Sequence, residues 1–234
     1  MKLCVIPARG GSKRIPRKNI KDFNGKPMIA YSIDAALESN CFDRVIVSTD
    51  DEEIADVAKG YGAEIPFMRP EVLADDYAGT LPVIKHAIEW FDRNEESPTK
   101  VCCLYATAPF VQVESLQKAY QQMQNTGAEY CFAATSYPFP IQRAIKVTDN
   151  NRVEMFQEDQ FNRRSQDLEE AFHDAGQFYW GSAEAFKVMK SIFSKIASPY
   201  LLPRHFVQDI DTAEDWLRAE LMFKVLETSG VSFK

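Results

Sequence analysis

Short apolar runs and longer amphipathic stretches alternate along most of the chain. Continuous apolar runs bounded by turn residues are typical of buried strands, whereas apolar residues three or four positions apart are typical of helices. The runs that predict strands lie at residues 3–7, 44–48, 65–68, 101–105, 130–135 and 176–181. The stretches that predict helices lie at residues 28–37, 49–59, 82–91, 113–123, 183–190 and 213–227, with Thr80 as the expected N-cap of the third.

This alternation predicts an α/β protein in which a mainly parallel, Rossmann-like sheet lies between two layers of helices. In open sheets of this kind, ligands bind beyond the carboxyl ends of the strands. The loop that follows the first predicted strand lies at such an end. Its side chains are therefore the first candidates for a ligand site.

The regular pattern stops between residues 137 and 174. This segment contains two prolines, a polar stretch at 148–152 and a run rich in charges and amides at 157–170. It is longer than an ordinary connection, which predicts either a lid or an arm that packs on another subunit. We therefore divide the chain into the first part of the core at 1–136, the arm or lid, and the completion of the core at 175–234.

Composition narrows the classes of function. With 234 residues, 45% of them hydrophobic, the chain can bury a sizeable core, which argues against disorder. A net charge of −7 argues against a general nucleic-acid binder, which needs an extended basic surface. The cysteines and histidines form no zinc, disulfide or catalytic-triad pattern. No signal peptide or membrane span is evident, so we expect a soluble cytoplasmic protein.

The loop behind the first predicted strand has the composition of an anion-binding site. Residues 7–19 carry five cations in an acidic chain, which points to a small polyanion such as a nucleoside triphosphate. Adjacent glycines let the backbone approach phosphate oxygens and adopt unusual φ angles, while the polar side chains donate hydrogen bonds. The spacing matches neither the P-loop nor the dinucleotide-binding pattern, and a basic surface turn remains the alternative. The residues are Arg9, Gly10, Gly11, Ser12, Lys13, Arg17, Lys18 and Asn19.

A second candidate lies near the C-terminus, where Asp209 and Asp211 are two positions apart. In an extended segment both carboxylates point to the same side, and hard oxygen ligands at this spacing suit Mg²⁺. Thr212 and Asp215 resemble a capping box, so capping of the last helix is an equally good reading that is compatible with metal binding. Together with the basic loop, the pair indicates metal-assisted phosphoryl or nucleotidyl transfer without a covalent nucleophile.

The N-terminal loop is part of a longer string that resembles the signature of the sugar-acid cytidylyltransferases, the CMP-sialic acid synthetase family. The string reads Ile6-Pro7-Ala8-Arg9-Gly10-Gly11-Ser12-Lys13, followed by Pro16 and Lys18-Asn19. Further strings fall in the family's order along nearly the whole chain, at residues 47–50, 69–70, 73–76, 166–168 and 209–212. Within the family, the strings at 105–110, 139–143 and 173–181 look most like those of pseudaminic acid cytidylyltransferases.

The resemblance implies a reaction in which the anomeric hydroxyl of a nonulosonic acid attacks the α-phosphate of CTP, giving a CMP-sugar and pyrophosphate with Mg²⁺ as cofactor. It implies nucleotide binding by Ala8, Arg9, Gly10, Gly11, Ser12, Lys13, Asn19, Arg69 and Thr80. It implies catalytic roles for Lys18, Asp209 and Asp211, with the two aspartates as metal ligands. It implies sugar binding by Tyr105, Gln142, Arg143, Gln166 and Tyr179. It also implies that residues 137–174 form the dimerisation arm of a homodimer and reach the partner's active site.

Two departures from the family pattern bear on the sugar. Sialic acid synthetases usually carry Gln-Pro-Thr-Ser-Pro where residues 105–109 read Tyr-Ala-Thr-Ala-Pro, and Gln142 stands where a lysine is more familiar. The leading hypothesis is therefore pseudaminic acid, with legionaminic, N-acetylneuraminic and 3-deoxy-octulosonic acid as alternatives. A catalytically silent nucleotide-sensing protein is the rival from another class, and retention of the basic loop and both aspartates disfavours it. Structural alternatives exist for Arg69, as a partner of a carboxylate, and for Tyr179, as a core residue.

Overall fold

A six-stranded sheet forms the centre of the computed structural model, which describes residues 1–75 and 79–233. The strands are β1 Lys2–Pro7, β2 Asp22–Phe23, β3 Lys26–Pro27, β4 Arg44–Ser48, β5 Lys100–Leu104, β6 Tyr130–Ser136, β7 Ile145–Val147, β8 Val153–Met155, β9 Phe172–Ser182 and β10 Ala197–Leu201. The helices are α1 Met28–Glu38, α2 Glu52–Gly60, α3 Thr80–Asn94, α4 Val113–Thr126, α5 Ala183–Lys187 and α6 Ala213–Thr228. The central sheet has the order β10-β6-β9-β5-β1-β4, and the pairs β2–β3 and β7–β8 lie outside it.

Most neighbouring strands of the central sheet run parallel. β1 pairs in parallel with β4 and β5, and β10 pairs in parallel with β6, whereas β9 is antiparallel to both β5 and β6. The prediction of an α/β fold with a mainly parallel, Rossmann-like sheet is confirmed. The reversed strand was not predictable from the apolar pattern, because a strand buried on both faces reads the same in either direction.

Helices cover both faces of this sheet. Cys4 and Ile6 of β1 face a core cluster that contains residues of α1, α2 and α4, while Leu3 and Val5 face a cluster with residues of α3 and α5. Alternate residues of β1 are thus buried on opposite sides, which explains the continuous apolar run in the sequence. In the part of the chain that the structure describes, no helix is long and apolar enough to cross a membrane.

A third core cluster joins the last helix to the N-terminal part of the chain. Trp216 and Phe223 of α6 pack edge to face against Phe23, with ring centroids 5.4 Å apart in both pairs. Ile15 and Ile210 are buried in the same cluster, with exposed fractions of 4% and 1%. Dense packing of large apolar side chains holds their neighbours in place. The cluster therefore brings the loop after β1 next to the segment that precedes α6.

Two local predictions are wrong. Residues 65–68 do not form a strand: Glu64 makes an isolated bridge to β4, and Pro66 has no N–H group to continue the pairing. Thr80 does not cap α3, because it is the first residue of the helix and Gly79 stands at the N-cap position without a side-chain hydrogen bond. The Thr80 hydroxyl is therefore available to the site described below.

Residues 137–174, which we call the arm segment, lead from β6 into β9 and carry the β7–β8 hairpin. The segment forms hydrogen bonds within itself, such as that from the Tyr137 N–H to the Ala171 carbonyl (3.0 Å). Several of its large apolar side chains are exposed. They are Phe139 (78%), Val147 (68%), Val153 (67%), Phe156 (66%) and Phe161 (68%).

The ranges on either side of the arm segment contribute to the same sheet. β1, β4, β5 and β6 come from residues 1–136. β10 and all but the first three residues of β9 come from residues 175–201, and those three residues are the end of the arm segment. We therefore keep the division into a core, an arm and a completion of the core as our interpretation of the chain. Asp76, the last residue of one family-like string, lies outside the described residues.

Candidate active site

The basic loop of residues 7–19 lines a cleft of about 490 Å³ at the carboxyl ends of β1 and β5. This is the location that the alternation of strands and helices predicts. Thr80 and Tyr105 also line the cleft, and so do Ser12 and Asn19. Positive charge dominates, because cations outnumber carboxylates among the described lining residues. The cations are Arg9, Lys13, Arg14, Lys18 and Arg69, and the carboxylate is that of Asp211.

Contacts with the core and within the loop hold this loop in place. Ile15 is buried in the third core cluster, and the Lys18 N–H donates to its carbonyl (3.2 Å). The Asn19 side chain donates from Nδ2 to the Arg9 carbonyl (2.9 Å), which joins the two ends of the loop. The Ala8 side chain, predicted to lie at the nucleotide, is 1% exposed and packs in the core. Asn19 therefore combines a place in the cleft with a structural role.

An acidic turn between β4 and α2 supports the glycines of the loop. Asp50 Oδ1 accepts the Gly10 N–H (3.1 Å), and Asp51 Oδ1 accepts the Ile54 N–H (3.0 Å) as the N-cap of α2. A Cβ atom on residue 10 would lie 2.6 Å from Asp51 Oδ2, so a side chain there would force a displacement. Gly10 and Gly11 do not have the positive φ angles that we expected, and they do not line the cleft. The close approach that requires Gly10 is thus to Asp51.

The sequence suggested that Arg17 donates hydrogen bonds to a phosphate, but its side chain binds the same acidic turn. Its Nη2 donates to Asp51 Oδ1 (2.9 Å), and the guanidinium also pairs with Glu53 (2.5 Å). The residue adopts a left-handed backbone conformation, with a φ of 57°. The hydrogen bond from Arg17 stabilises the ionised carboxylate and holds the pKa of Asp51 below its usual value.

The two aspartates near the C-terminus lie beside the basic loop. Lys18 Nζ donates to the Ile210 carbonyl (2.6 Å) and lies 3.4 Å from Asp211 Oδ1. Arg14 Nη2 lies 2.9 Å from Asp211 Oδ2. Burial, together with the nearby charge of Asp211, raises the pKa of Asp209. The structure thus brings together the basic loop and the aspartate pair, which the sequence showed as separate candidates.

The predicted capping box is confirmed, and it leaves the aspartate pair available. Thr212 accepts the Asp215 N–H (3.2 Å), and the Asp215 carboxylate accepts the Thr212 N–H (2.9 Å). Over residues 1–75 and 79–233, no group of three or more His, Cys, Asp or Glu side chains could hold a metal by itself. Two carboxylates beside a cationic cleft nevertheless fit Mg²⁺, whose remaining positions are typically filled by phosphate oxygens and water.

Arg69 is a buried cation at the edge of the cleft, with 6% of its surface exposed. Its side chain donates from Nε to Ser48 Oγ (3.2 Å) and from Nη2 to the Ser48 carbonyl. Burial lowers its pKa to about 10, an effect that the charge of Asp50 opposes. The guanidinium therefore stays charged at neutral pH, and its poor hydration strengthens its attraction for an anion.

A smaller cavity of about 120 Å³, which we call the recess, adjoins the cleft and shares Thr80 and Tyr105 with it. Tyr179, Ile192 and Phe193 contribute to its largely apolar wall. The rings of Tyr105 and Tyr179 lie 5.3 Å apart between centroids, and Thr80 Oγ1 lies 3.2 Å from the Tyr105 hydroxyl. Two of the residues predicted to bind sugar thus come together beside the cleft.

The other three residues predicted to bind sugar lie in the arm segment. Gln142 Nε2 donates to the Glu169 carbonyl (2.9 Å), Arg143 donates to a carbonyl of the same segment, and Gln166 lines a surface cavity there. These three side chains do not line the cleft or the recess of their own chain. The structure of one chain therefore does not bring them together with Tyr105 and Tyr179.

Sequence reasoning missed one charged residue that lines the cleft and one that lines the recess. Arg14 pairs with Asp211, and its charge within the basic loop was the available signal. Asp174 accepts a hydrogen bond from the Tyr179 hydroxyl, and the sequence contains no signal for this contact. Residues five apart point to opposite faces of a regular strand. β9 is irregular here, with a shift in its pairing with β6 and a φ of 61° at Gly176, so both side chains reach the recess.

These features define a class of protein. A three-layer α/β sheet with a cationic cleft at its strand ends, and a carboxylate pair beside that cleft, is the arrangement of an α/β nucleotidyltransferase. The sequence profile of the family described as Cytidylyltransferase matches residues 3–223. The chain belongs to the cytidylyltransferase family.

Named relatives match nearly the whole chain. A pseudaminic acid cytidylyltransferase from Campylobacter jejuni is 50% identical over 228 residues, which cover 97% of this chain and 98% of that protein. A CMP-N,N'-diacetyllegionaminic acid synthase from Legionella pneumophila is 33% identical over 226 residues, which cover 95% and 96% of the two chains. A solved structure of CMP:2-keto-3-deoxy-manno-octonic acid synthetase complexed with CTP has the same fold, with a TM-score of 0.68 at 15% identity over 96% of this chain and 98% of that chain.

Replacing Asp51 by Asn tests the electrostatic support of the loop. The amide can keep the N-cap hydrogen bond but loses the charge that pairs with Arg17, so we expect the free energy of unfolding at pH 7 to fall by about 1 kcal/mol. Because the pairing lowers the pKa of Asp51 in the folded state, its contribution is present above the unfolded pKa of about 3.9 and is lost as the pH falls through the folded pKa. Urea denaturation from pH 7 to pH 3 measures the difference.

Asp56→Asn is the matched control for this prediction. The Asp56 side chain is 78% exposed and lies 3.5 Å from Lys59, so the variant should match the wild type at every pH. A destabilisation of Asp51→Asn that is as large at pH 3 as at pH 7 would contradict the electrostatic explanation.

Proposed function

We propose that the protein couples CTP to pseudaminic acid, giving CMP-pseudaminic acid and pyrophosphate. The observation that carries the proposal is a cationic cleft that meets a largely apolar recess at Thr80 and Tyr105. The two cavities offer adjacent places for a triphosphate and for a sugar acid. The 50% identity to a pseudaminic acid cytidylyltransferase over nearly the full chain supports the choice of sugar.

On the nucleotide side, the cations of the cleft bind and orient the triphosphate. Lys18 is held between the Ile210 carbonyl and Asp211, which places its charge where the loop meets the aspartates. In our proposal it stabilises the charge that develops on the α-phosphate and on the departing pyrophosphate. Arg69 contributes a fixed and poorly hydrated charge at the edge of the cleft. Catalysis is then positioning and electrostatic stabilisation.

Asp209 and Asp211 are the proposed ligands of Mg²⁺. When bound, the ion supplies additional neutralisation of the charge on the triphosphate. Asp211 must exchange its ion pairs with Arg14 and Lys18 to take part, and both pairs are partly exposed. Exposed ion pairs contribute little stability, so breaking them costs little free energy. The exchange also leaves the two cations available to pair with the phosphates.

On the acceptor side, the anomeric hydroxyl of the sugar attacks the α-phosphate as pyrophosphate leaves. Tyr105 and Tyr179 lie at the recess and orient the sugar ring in this proposal. Gln142, Arg143 and Gln166 complete the site from the arm segment of a second copy of the chain. We assign them to a partner because they do not line the cleft or the recess of their own chain.

The main alternative is the same reaction on another sugar acid. Legionaminic acid is supported by the 33% identity to a CMP-N,N'-diacetyllegionaminic acid synthase, and N-acetylneuraminic and 3-deoxy-octulosonic acid remain further alternatives. The cations of the cleft and the adjacent aspartates argue against a silent nucleotide sensor. We infer a cytoplasmic location, where CTP is available to the enzyme.

Pyrophosphate release with CTP and Mg²⁺, measured against a panel of nonulosonic acids, tests the proposal. We expect the highest kcat/KM with pseudaminic acid, because the sequence strings around Tyr105 and Tyr179 resemble those of enzymes for that sugar. Higher kcat/KM with legionaminic acid would replace the substrate but keep the reaction. Binding of CTP without release of pyrophosphate from any sugar would support the nucleotide-sensing alternative.

Asp211→Asn should lower metal-dependent pyrophosphate release by at least about 100-fold, because the amide is a poor ligand for a hard cation. The substitution preserves the size of the side chain, so the thermal unfolding midpoint should stay close to that of the wild type. Glu214→Gln removes an exposed carboxylate from the first turn of α6, outside the cleft, and should retain full activity. Unchanged turnover in Asp211→Asn would remove the aspartate pair from the mechanism.

We propose that the exposed apolar side chains of the arm segment form the interface of a homodimer. Light scattering should give a mass of twice 26.6 kDa at micromolar concentration. Val153→Lys places a charge on the arm hairpin and should shift the protein toward monomer with loss of activity. Val188→Lys changes a side chain of similar exposure, 55% against 67%, outside the arm and should leave the dimer intact. A wild-type monomer would contradict the interface.

A further inference from the structure

The segment that joins β10 to α6, residues 202–212, carries both aspartates, and we call it the connector. Its two ends are fixed. At the first, the Leu202 N–H donates to the Ala134 carbonyl (2.8 Å), and at the second, Ile210 is 1% exposed in the third core cluster. Between these anchors, residues 203–209 are exposed or partly exposed. The place of Asp209 therefore depends on what holds the middle of the connector.

One buried side chain of the central sheet holds the middle of the connector. Gln177 of β9 is 3% exposed, and its Nε2 donates to the Phe206 carbonyl (2.5 Å), three residues before Asp209. A carbonyl can only accept, which fixes the NH₂ group toward the connector and the amide oxygen away from it. Within residues 1–75 and 79–233, no group donates to that oxygen.

Gln177 also belongs to the strands that form the recess. Its main-chain carbonyl accepts the Tyr105 N–H (2.8 Å), and Tyr179 follows two residues later on β9. Tyr105 and Tyr179 line the recess. A single residue is thus bonded to the recess through its main chain and to the connector through its side chain. Transfer between bound reactants requires a fixed spacing of this kind between the groups that hold them.

The stability of the fold does not by itself account for an amide at this position. A buried acceptor that has no donor in the chain is unfavourable, whereas the hydrogen bond to the Phe206 carbonyl is favourable. The two halves of the Gln177 amide therefore have opposite effects on the free energy of unfolding. The side chain contributes little net stability while it fixes the position of one carbonyl, and this balance suits a positioning role.

We propose that Gln177 is a positioning residue that holds the connector so that Asp209 and Asp211 keep a fixed spacing from the recess as ligands of Mg²⁺. The inference rests on the proposed function and adds to it a residue that contacts neither the metal nor the substrate. The Asp211 N–H also donates to Asp215 Oδ2 (3.2 Å), which ties it to the start of α6. We therefore expect Asp209 to respond more than Asp211 when the Gln177 amide is lost.

Gln177→Met tests the inference with a side chain of the same length that cannot donate. The Phe206 and Val207 N–H groups bond to the carbonyls of Pro203 and Arg204, and their hydrogen exchange, followed by mass spectrometry, should accelerate about threefold or more. Mn²⁺, as a probe of the Mg²⁺ site, should bind the CTP-saturated protein about three- to tenfold more weakly by electron paramagnetic resonance. Metal-free CTP affinity should change by less than about twofold, and the thermal unfolding midpoint should stay close to that of the wild type.

Gln117→Met is the matched control. Gln117 Nε2 donates to the Ser39 carbonyl (3.0 Å), so a bond of the same kind is lost between α4 and the end of α1, and the affinity for Mn²⁺ should stay unchanged. Gln177→Leu should repeat the result of Gln177→Met with a different apolar shape. Unchanged Mn²⁺ affinity in both Gln177 variants, or an equal loss in Gln117→Met, would overturn the inference.

Pyrophosphate release with the panel of sugar acids decides the proposed function separately. A wild-type protein that binds Mn²⁺ with CTP but releases no pyrophosphate would remove the proposed function, while weaker Mn²⁺ binding by the Gln177 variants would still support the placement of the metal ligands. A wild-type CTP complex that binds no Mn²⁺ beyond the nucleotide alone would overturn the inference.

Discussion

Apolar packing between two distant parts of the chain is the constraint on which the site depends. Lys18 and Asp211 are separated by 193 positions, and they meet because Ile15 and Ile210 are buried in one cluster with the aromatic residues of α6. A partly exposed ion pair contributes about 0–1 kcal/mol, whereas burying one large apolar side chain contributes about 1.5–3 kcal/mol. The core therefore sets the spacing between the basic loop and the aspartates, and the charged side chains adapt to it.

Among the cations in and beside the cleft, two kinds can be distinguished. Arg17 and Arg69 are held by several protein contacts, with Arg17 on Asp51 and Glu53 and Arg69 on Ser48. Arg14 and Lys18 instead share the partly exposed carboxylate of Asp211. Groups of the first kind preserve the shape of the site before a ligand arrives. Groups of the second kind can change partners at small cost, which suits a site that must accept a polyanion and release another.

Much of the fold and the position of the cationic cleft could be predicted from local signals. The period of the apolar positions located most strands and helices, and the charge of residues 7–19 indicated the loop that lines the cleft, because both signals reside in neighbouring residues. The antiparallel direction of β9 and the contact between Asp174 and Tyr179 could not be predicted, because a left-handed glycine and a shift in strand pairing create them. Arg17 was misassigned because the sequence does not show whether a cation on a loop pairs with a phosphate or with a carboxylate of the protein. Its partners in the structure are Asp51 and Glu53. The roles of Gln142, Arg143 and Gln166 stay predictions, since these side chains do not line the cleft or the recess.

The reversed direction of β9 has a topological consequence for the arm segment. β6 ends and β9 begins on the same side of the sheet, because the two strands are antiparallel neighbours. The carboxyl ends of β1 and β5 lie on this side as well. The chain can therefore leave the sheet beside the ligand cleft and re-enter it there without crossing either layer of helices. Residues added to or removed from this excursion would leave the register of the sheet unchanged. The fold thus provides a position where the length of a peripheral element can vary between relatives while the cleft at the strand ends stays constant.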